Sequence, residues 1–170
     1  EEPDENVLLS DDFSSMTNWG EGQSVTQTDY SYGITDGQLE LKLNAGRTKD
    51  TRVYCNKPFD SSKKIEIEFE LTANGTEGTN FLTGVVLSNG KLVTGSEFVL
   101  VLEFYQGTFR VNWSAVCYAA DGTHTVKIVN NPDEAKLEIY LDGATKREYS
   151  GHILGEDEES YKTVNYSLLR

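Results

Sequence analysis

Basic residues are scarce in this chain. Fifteen Lys and Arg face 28 Asp and Glu across 170 residues, for a formal net charge of −13. That balance makes phosphate backbones and anionic lipid surfaces poor partners and excludes nucleic acid. Long apolar runs are missing too. None approaches the roughly 20 residues that span a bilayer, and no basic-then-apolar leader opens the sequence, so no membrane insertion is expected. Helical apolar spacing, internal repeats and low-complexity tracts are absent. Two histidines, in no metal-ligand spacing with each other or with the two cysteines, give no zinc motif. No Gly-x-Ser-x-Gly elbow, phosphate loop or dinucleotide fingerprint occurs.

What is present describes one folded domain. Hydrophobic residues make up 37% and charged residues 25% of a chain long enough for a single core. The acidity is local: residues 1–12 carry six carboxylates and no base, and Glu156-Asp157-Glu158-Glu159 adds four. The other 18 acids face all 15 bases. We expect residues 1–8 to form an acidic linker and residues 9–170 a single domain. The acidic start resembles a linker left after an export signal, so a secreted or cell-surface location is expected.

Period-two alternation recurs along the chain. Ile65, Ile67, Phe69 and Leu71 alternate with Glu66, Glu68 and Glu70. Phe98–Tyr105 and Leu137–Leu141 alternate likewise. Further strands are expected at 38–43, 52–56, 81–88, 108–116, 124–129 and 162–169. Turn dipeptides separate them: Asp36-Gly37, Asn74-Gly75, Asn89-Gly90, Gln106-Gly107, Asp121-Gly122, Asn131-Pro132 and Asp142-Gly143. Nine or ten short strands joined this way predict an all-β fold, a two-sheet antiparallel sandwich or jelly roll.

One hairpin can be set in register. A two-residue turn at Gln106-Gly107 puts Tyr105 opposite Thr108, Phe104 opposite Phe109, Glu103 opposite Arg110 and Leu102 opposite Val111. The core face is then Leu100, Leu102, Phe104, Phe109, Val111 and, by parity, Trp113. The other face carries Val101, Glu103, Tyr105, Arg110 and Asn112. A ring beside planar donors and acceptors is what a sugar-binding sheet needs.

Three stretches carry a family resemblance. Leu9-Ser10-Asp11-Asp12-Phe13 with Trp19, then Asp36-Gly37-Gln38-Leu39-Glu40-Leu41, resembles the opening of concanavalin A-like lectin and glucanase domains. Gly122-Thr123-His124-Thr125-Val126-Lys127-Ile128-Val129 and Leu137–Gly143 are similar to their late hairpin. The resemblance implies two curved sheets, one of which commonly holds a glycan, and a structural role for His124. In style the chain also resembles carbohydrate-binding modules of bacterial plant-cell-wall-degrading enzymes. That implies a polysaccharide partner, such as xylan, another hemicellulose or a β-glucan, and membership of a larger multidomain protein.

The expected ligand-binding residues are Tyr54, Glu103, Tyr105, Arg110 and Asn112. Arg52, Trp113, Tyr118, Trp19, Tyr30 and Tyr32 carry lower weight. Three alternatives stand beside this non-catalytic reading. Glu66-Ile67-Glu68-Phe69-Glu70 resembles the E-x-D-x-E strand of laminarinases and lichenases. Carried over, Glu66 is nucleophile, Glu68 the assisting carboxylate and Glu70 the acid/base of a retaining hydrolase. A polysaccharide lyase would use Tyr105, Arg110 and Asn112 but lacks a placed histidine. A laminin-G-like adhesion domain would bind protein instead. No cofactor is required. A structural Ca²⁺ near Asp11, Asp12 and Asp36 is the metal expectation, with Asp29 and Glu156–Glu159 as further oxygen donors. Cys55 and Cys117 share core-facing parity, compatible with either a disulfide or two buried thiols.

Overall fold

Alternation becomes strand and three of the turn dipeptides become hairpins in the structure, a computed structural model describing residues 7, 9–21, 30–43, 52–55, 63–74, 76, 82–88, 98–150 and 165–169. The strands are β1 (Trp19–Glu21), β2 (Tyr30–Thr35), β3 (Gln38–Leu43), β4 (Arg52–Cys55), β5 (Ile65–Ala73), β6 (Leu82–Ser88) and β7 (Phe98–Tyr105). They continue with β8 (Thr108–Val111), β9 (Ser114–Tyr118), β10 (Gly122–Asn131), β11 (Lys136–Leu141), β12 (Ala144–Ser150) and β13 (Asn165–Leu169). A seven-stranded sheet runs β1-β4-β13-β6-β7-β8-β9 and a four-stranded sheet runs β12-β11-β10-β5, with β2 and β3 as a separate hairpin. The pairings are antiparallel.

The inner faces of the two sheets meet in the main core. Leu87, Leu100, Leu102, Phe104, Phe109 and Val111 of the larger sheet pack with Val126, Ile128, Leu137, Ile139 and Leu141 of the smaller. Burying each such side chain contributes about 1.5–3 kcal/mol. Phe104 and Phe109, directly opposed across β7 and β8, place their ring centroids 5.3 Å apart. A second cluster of Trp19, Val53 and Cys55 is covered by Leu9, Phe13, Met16, Tyr32, Leu39 and Leu41. It joins the amino-terminal segment and the β2–β3 hairpin to the outer strands of the larger sheet.

Four connections are type I′ turns, with positive φ at both central residues: Asp36-Gly37, Gln106-Gly107, Asn112-Trp113 and Asp142-Gly143. Three were legible as turn dipeptides. Asn131-Pro132 instead opens a 3-10 turn over Pro132–Glu134, where the Asn131 side chain accepts from the Glu134 N–H. The turns expected at Asn74-Gly75 and Asn89-Gly90 involve Gly75, Asn89 and Gly90, which lie outside the described residues, as do Asn56, Phe81 and 162–164 from the expected strands.

One expectation is corrected here, and one open alternative is decided. The strand expected over 108–116 is two strands, because the chain reverses at Asn112-Trp113. Parity therefore fails beyond Val111, and Trp113 is 55% exposed rather than in the core. The Cys55–Cys117 disulfide does not form: both thiols are free. Cys55 sits on β4 and Cys117 on β9, five strand spacings apart in the same sheet, which is roughly 24 Å. Each belongs to a different apolar cluster.

Candidate functional site

Register builds two rows on the outer face of the larger sheet. One runs Gly84, Glu103, Arg110 and Ala115 across β6, β7, β8 and β9. The next runs Leu82, Tyr105, Thr108 and Tyr118. The expected hairpin pairing holds at all four positions from Leu102↔Val111 to Tyr105↔Thr108. Glu103 and Arg110 are thus direct neighbours, and Tyr105 flanks them.

These side chains form one assembly. Glu103 is buried at 2% exposure, and its Oε1 lies 3.2 Å from Arg110 Nη1. Arg110 Nε donates to the Trp113 carbonyl at 3.1 Å, and Nη2 donates to the same oxygen. The guanidinium carbon sits 4.9 Å from the centroid of the Tyr105 ring, a cation–π contact. Arg110 therefore ties a buried carboxylate, an aromatic ring and the β8–β9 turn together. Beside it stand the two most exposed aromatic rings among the described residues, Trp113 and Tyr118 at 55% and 75%.

The turn carrying Trp113 is strained. A tryptophan at φ 63° costs on the order of 1 kcal/mol relative to glycine. Asn112 supports it: the Asn112 N–H donates to the Val101 carbonyl at 2.8 Å, and the Val101 N–H donates to Asn112 Oδ1 at 2.9 Å. With its side-chain oxygen completing the strand ladder, Asn112 positions the turn, a correction to its expected role as a sugar contact.

Other expected contacts divide. Register puts Tyr54 on the row of Val101 and Val86, and Arg52 on the row of Gly84 and Glu103, each on β4. Both backbone positions belong to the outer face, about 14 Å from β7, while their side chains lie outside the described residues. The side chain of Tyr30 lies outside them as well. Trp19 is core: it is 8% exposed, tilted against Phe13 at 5.6 Å, and its Nε1–H donates to Asp11 Oδ2 at 2.8 Å. Tyr32 packs against the same cluster. Both are removed from the ligand set.

The outer face of the smaller sheet holds the Glu66-x-Glu68-x-Glu70 series. All three carboxylates are exposed, since Ile65, Ile67 and Phe69 take the core side. Glu66 binds Lys127 at 2.7 Å, and this partner holds its pKa below the ordinary value. Lys136 bridges Glu138 at 3.0 Å and Glu148 at 3.5 Å, while the Tyr140 hydroxyl donates to Glu138 at 3.1 Å. A shallow groove of about 450 Å³ runs over these residues. Exposure, and the pairing of Glu66, Glu138 and Glu148 with lysines, describe a solvated charged face.

The acidic residues expected near a cation have other partners. Asp11 Oδ1 accepts from the Phe13 N–H, and Oδ2 accepts from Asn18 and Trp19. Asp12 accepts from the Ser14 N–H, and hydrogen bonds from Ser14 lower its pKa. Asp36 is the first residue of a turn. Among the described residues no three His, Cys, Asp or Glu gather as metal ligands, and Asp29 and Glu156–Glu159 lie outside them. His124 is structural, as the resemblance implied: Nδ1 lies 2.9 Å from Asp142 Oδ2 and Nε2 lies 2.8 Å from the Ala120 carbonyl. Its ring stacks on Phe104 at 4.9 Å. Burial pulls the His124 pKa down, but the Ala120 and Asp142 hydrogen bonds and the Asp142 charge outweigh it and raise the value.

No protein-family model matches the chain, and no curated protein matches it in sequence. Solved structures do match its architecture. A sialidase aligns with a TM-score of 0.65 at 16% identity, over 91% of this chain and only 13% of the sialidase. The potassium-bound Emp46p carbohydrate recognition domain aligns with a TM-score of 0.63 at 12% identity, over 96% of this chain and 86% of that one. The fold is the concanavalin A-like β-sandwich. An alginate lyase of polysaccharide lyase family 7, AlgAT5, shares it with a TM-score of 0.53 at 10% identity, over 91% and 92% of the two chains. Enzymes and a recognition domain thus both use this scaffold, and it is the residues on it that separate them.

Proposed function

We propose that this concanavalin A-like domain is a non-catalytic carbohydrate-binding module. It would serve a larger exported or cell-surface protein, in the manner of bacterial plant-cell-wall-degrading systems. Its ligand is an extended polysaccharide, best matched by xylan or another hemicellulose or β-glucan. The binding surface is the outer face of the larger sheet. The observation that carries this reading is the pair of exposed rings, Trp113 and Tyr118, beside the ordered Glu103–Arg110–Tyr105 assembly. Trp113 precedes β9 and Tyr118 ends it, so the two lie up to about 16 Å apart along an edge strand. That spacing suits several linked sugar rings stacked on aromatic faces. Fold likeness to a carbohydrate recognition domain and to glycan-active enzymes supports the ligand class.

Native gel electrophoresis with arabinoxylan, mannan, mixed-linkage glucan or xyloglucan cast in the gel tests the reading. Selective retardation by one polymer, with its staining intact, is the expected result. Cleared staining would identify a hydrolase instead and return Glu66 and Glu70 to consideration. Free migration in every gel would move a protein partner, as in an adhesion domain, to the front.

A further inference from the structure

Trp113 is 55% exposed, so the position of its ring is set by the backbone of its turn more than by packing. That turn is demanding. Asn112 at φ 46° and Trp113 at φ 63° both occupy the left-handed region, where neither has the freedom of glycine. Two sets of bonds hold it. On the amino side, the Asn112 N–H donates to the Val101 carbonyl at 2.8 Å, and Asn112 Oδ1 accepts from the Val101 N–H at 2.9 Å. On the carboxyl side, Arg110 Nε and Nη2 converge on the Trp113 carbonyl oxygen, Nε at 3.1 Å.

The guanidinium is itself well fixed. Its side chain is 22% exposed, its Nη1 lies 3.2 Å from Glu103 Oε1, and its carbon lies 4.9 Å from the centroid of the Tyr105 ring. A planar fork restrained in this way brings two donors to one oxygen, which a flexible single-point ammonium does less well. A platform that is rigid before the ligand arrives gives up little freedom on binding, and that saving appears as affinity.

Resting on the carbohydrate-binding reading above, we propose that Arg110 is a positioning residue of the glycan platform. Its fork locks the Trp113 carbonyl and so presents the indole to the sugar in one orientation. Arg110 therefore contributes to affinity through Trp113, without touching the ligand. Its replacement matters only while residue 113 carries a ring to position.

The test is a double-mutant cycle read by affinity electrophoresis of the whole domain. Arabinoxylan, mannan, mixed-linkage glucan and xyloglucan gels are run first, and a concentration series of the polymer that retards the wild type then gives Kd for each variant. Trp113→Gly is expected to weaken binding about tenfold, and Arg110→Gln to approach that loss. The double variant is expected to bind within about twofold of Trp113→Gly alone, because the two residues act as one unit. Without polymer, Arg110→Gln should add a fast component to the tryptophan anisotropy decay, and Trp113→Gly should remove it.

Losses that multiply to about a hundredfold in the double variant would overturn the proposal and make Arg110 a direct sugar contact. A folded Arg110→Gln protein that binds like the wild type would overturn it as well. Should circular dichroism show Arg110→Gln unfolded, Arg110→Lys goes through the same cycle. That variant keeps a cation beside Glu103 and gives up the planar fork, so wild-type affinity in it would overturn the role of the fork. Free migration of the wild type in every gel would overturn the carbohydrate reading itself, whereas a failed cycle on a retarding polymer overturns the positioning role alone.

Discussion

The two sheets present outer faces of similar residue type but opposite character. On the smaller sheet, Glu66, Lys127, Lys136 and Glu138 pair with one another at 2.7–3.0 Å in partly or fully exposed positions. On the larger sheet one pair, Glu103 and Arg110, sits at 3.2 Å with its carboxylate buried and two exposed aromatic rings beside it. Exposed pairs of the first kind contribute about 0–1 kcal/mol each. Breaking a buried pair of the second kind costs about 3–5 kcal/mol. Burial and aromatic company, rather than the presence of carboxylates, separate an organised site from a solvated face.

The sharpest way to break the larger face is at its floor. A Cβ at Gly84 would press on the Leu102 carbonyl oxygen and come within 2.8 Å of Glu103 Cα. Gly84→Ala should therefore lower stability by about 3 kcal/mol or more in urea unfolding, because backbone on both sides must move. Arg110→Met should follow at up to about 3 kcal/mol, by taking the guanidinium away from a buried carboxylate and from the Trp113 carbonyl. An unchanged urea midpoint would mean that the pair is not buried in solution.

Trp113→Gly probes the trade between strain and recognition. It should leave stability unchanged or raised by about 0.5 kcal/mol, through relief of the positive φ. The same variant should weaken binding to the retarding polymer by about tenfold, or 1.4 kcal/mol.

Between the two faces lies His124, whose folded pKa is raised above the ordinary 6.5. The sign follows from linkage. Stability from this group is complete below about pH 6.5 and is lost as pH rises through the folded value. Asp142, which faces it with Lys146 nearby, has a lowered pKa and stays ionised across that window. Urea midpoints should fall with rising pH there in the wild type and stay flat in His124→Gln. The smallest effect belongs to the solvated face: Lys127→Ala should leave the urea midpoint essentially unchanged, and a fall as large as that of Arg110→Met would erase the contrast.

Much of the fold was legible because period-two alternation and Gly-containing turns are local signals. The Gln106-Gly107 hairpin emerged in its observed register. Asn112-Trp113 was missed because tryptophan is not a turn residue. Only the asparagine hinted at positive φ, and parity was carried one strand too far. Cys55 and Cys117 were read as core-facing, and they are, but their separation depends on the strand order β4-β13-β6-β7-β8-β9, a long-range property. The burial of Glu103 was equally hidden, since an outward-parity glutamate reads as solvated from sequence alone. Trp19 and Tyr32 were weighed as platforms because nothing local shows that the β2–β3 hairpin and amino-terminal segment close over them.

Two tryptophans with opposite environments offer the most direct test of the binding face. Trp19 is 8% exposed and Trp113 is 55% exposed, so emission that responds to a soluble quencher belongs to Trp113. Titrating in whichever neutral polymer retards the protein should shift that emission to the blue and shield it from iodide, and Trp113→Phe should lose the response. Retardation by the polymer with Trp113 emission and quenching unchanged would place the glycan elsewhere and contradict the account.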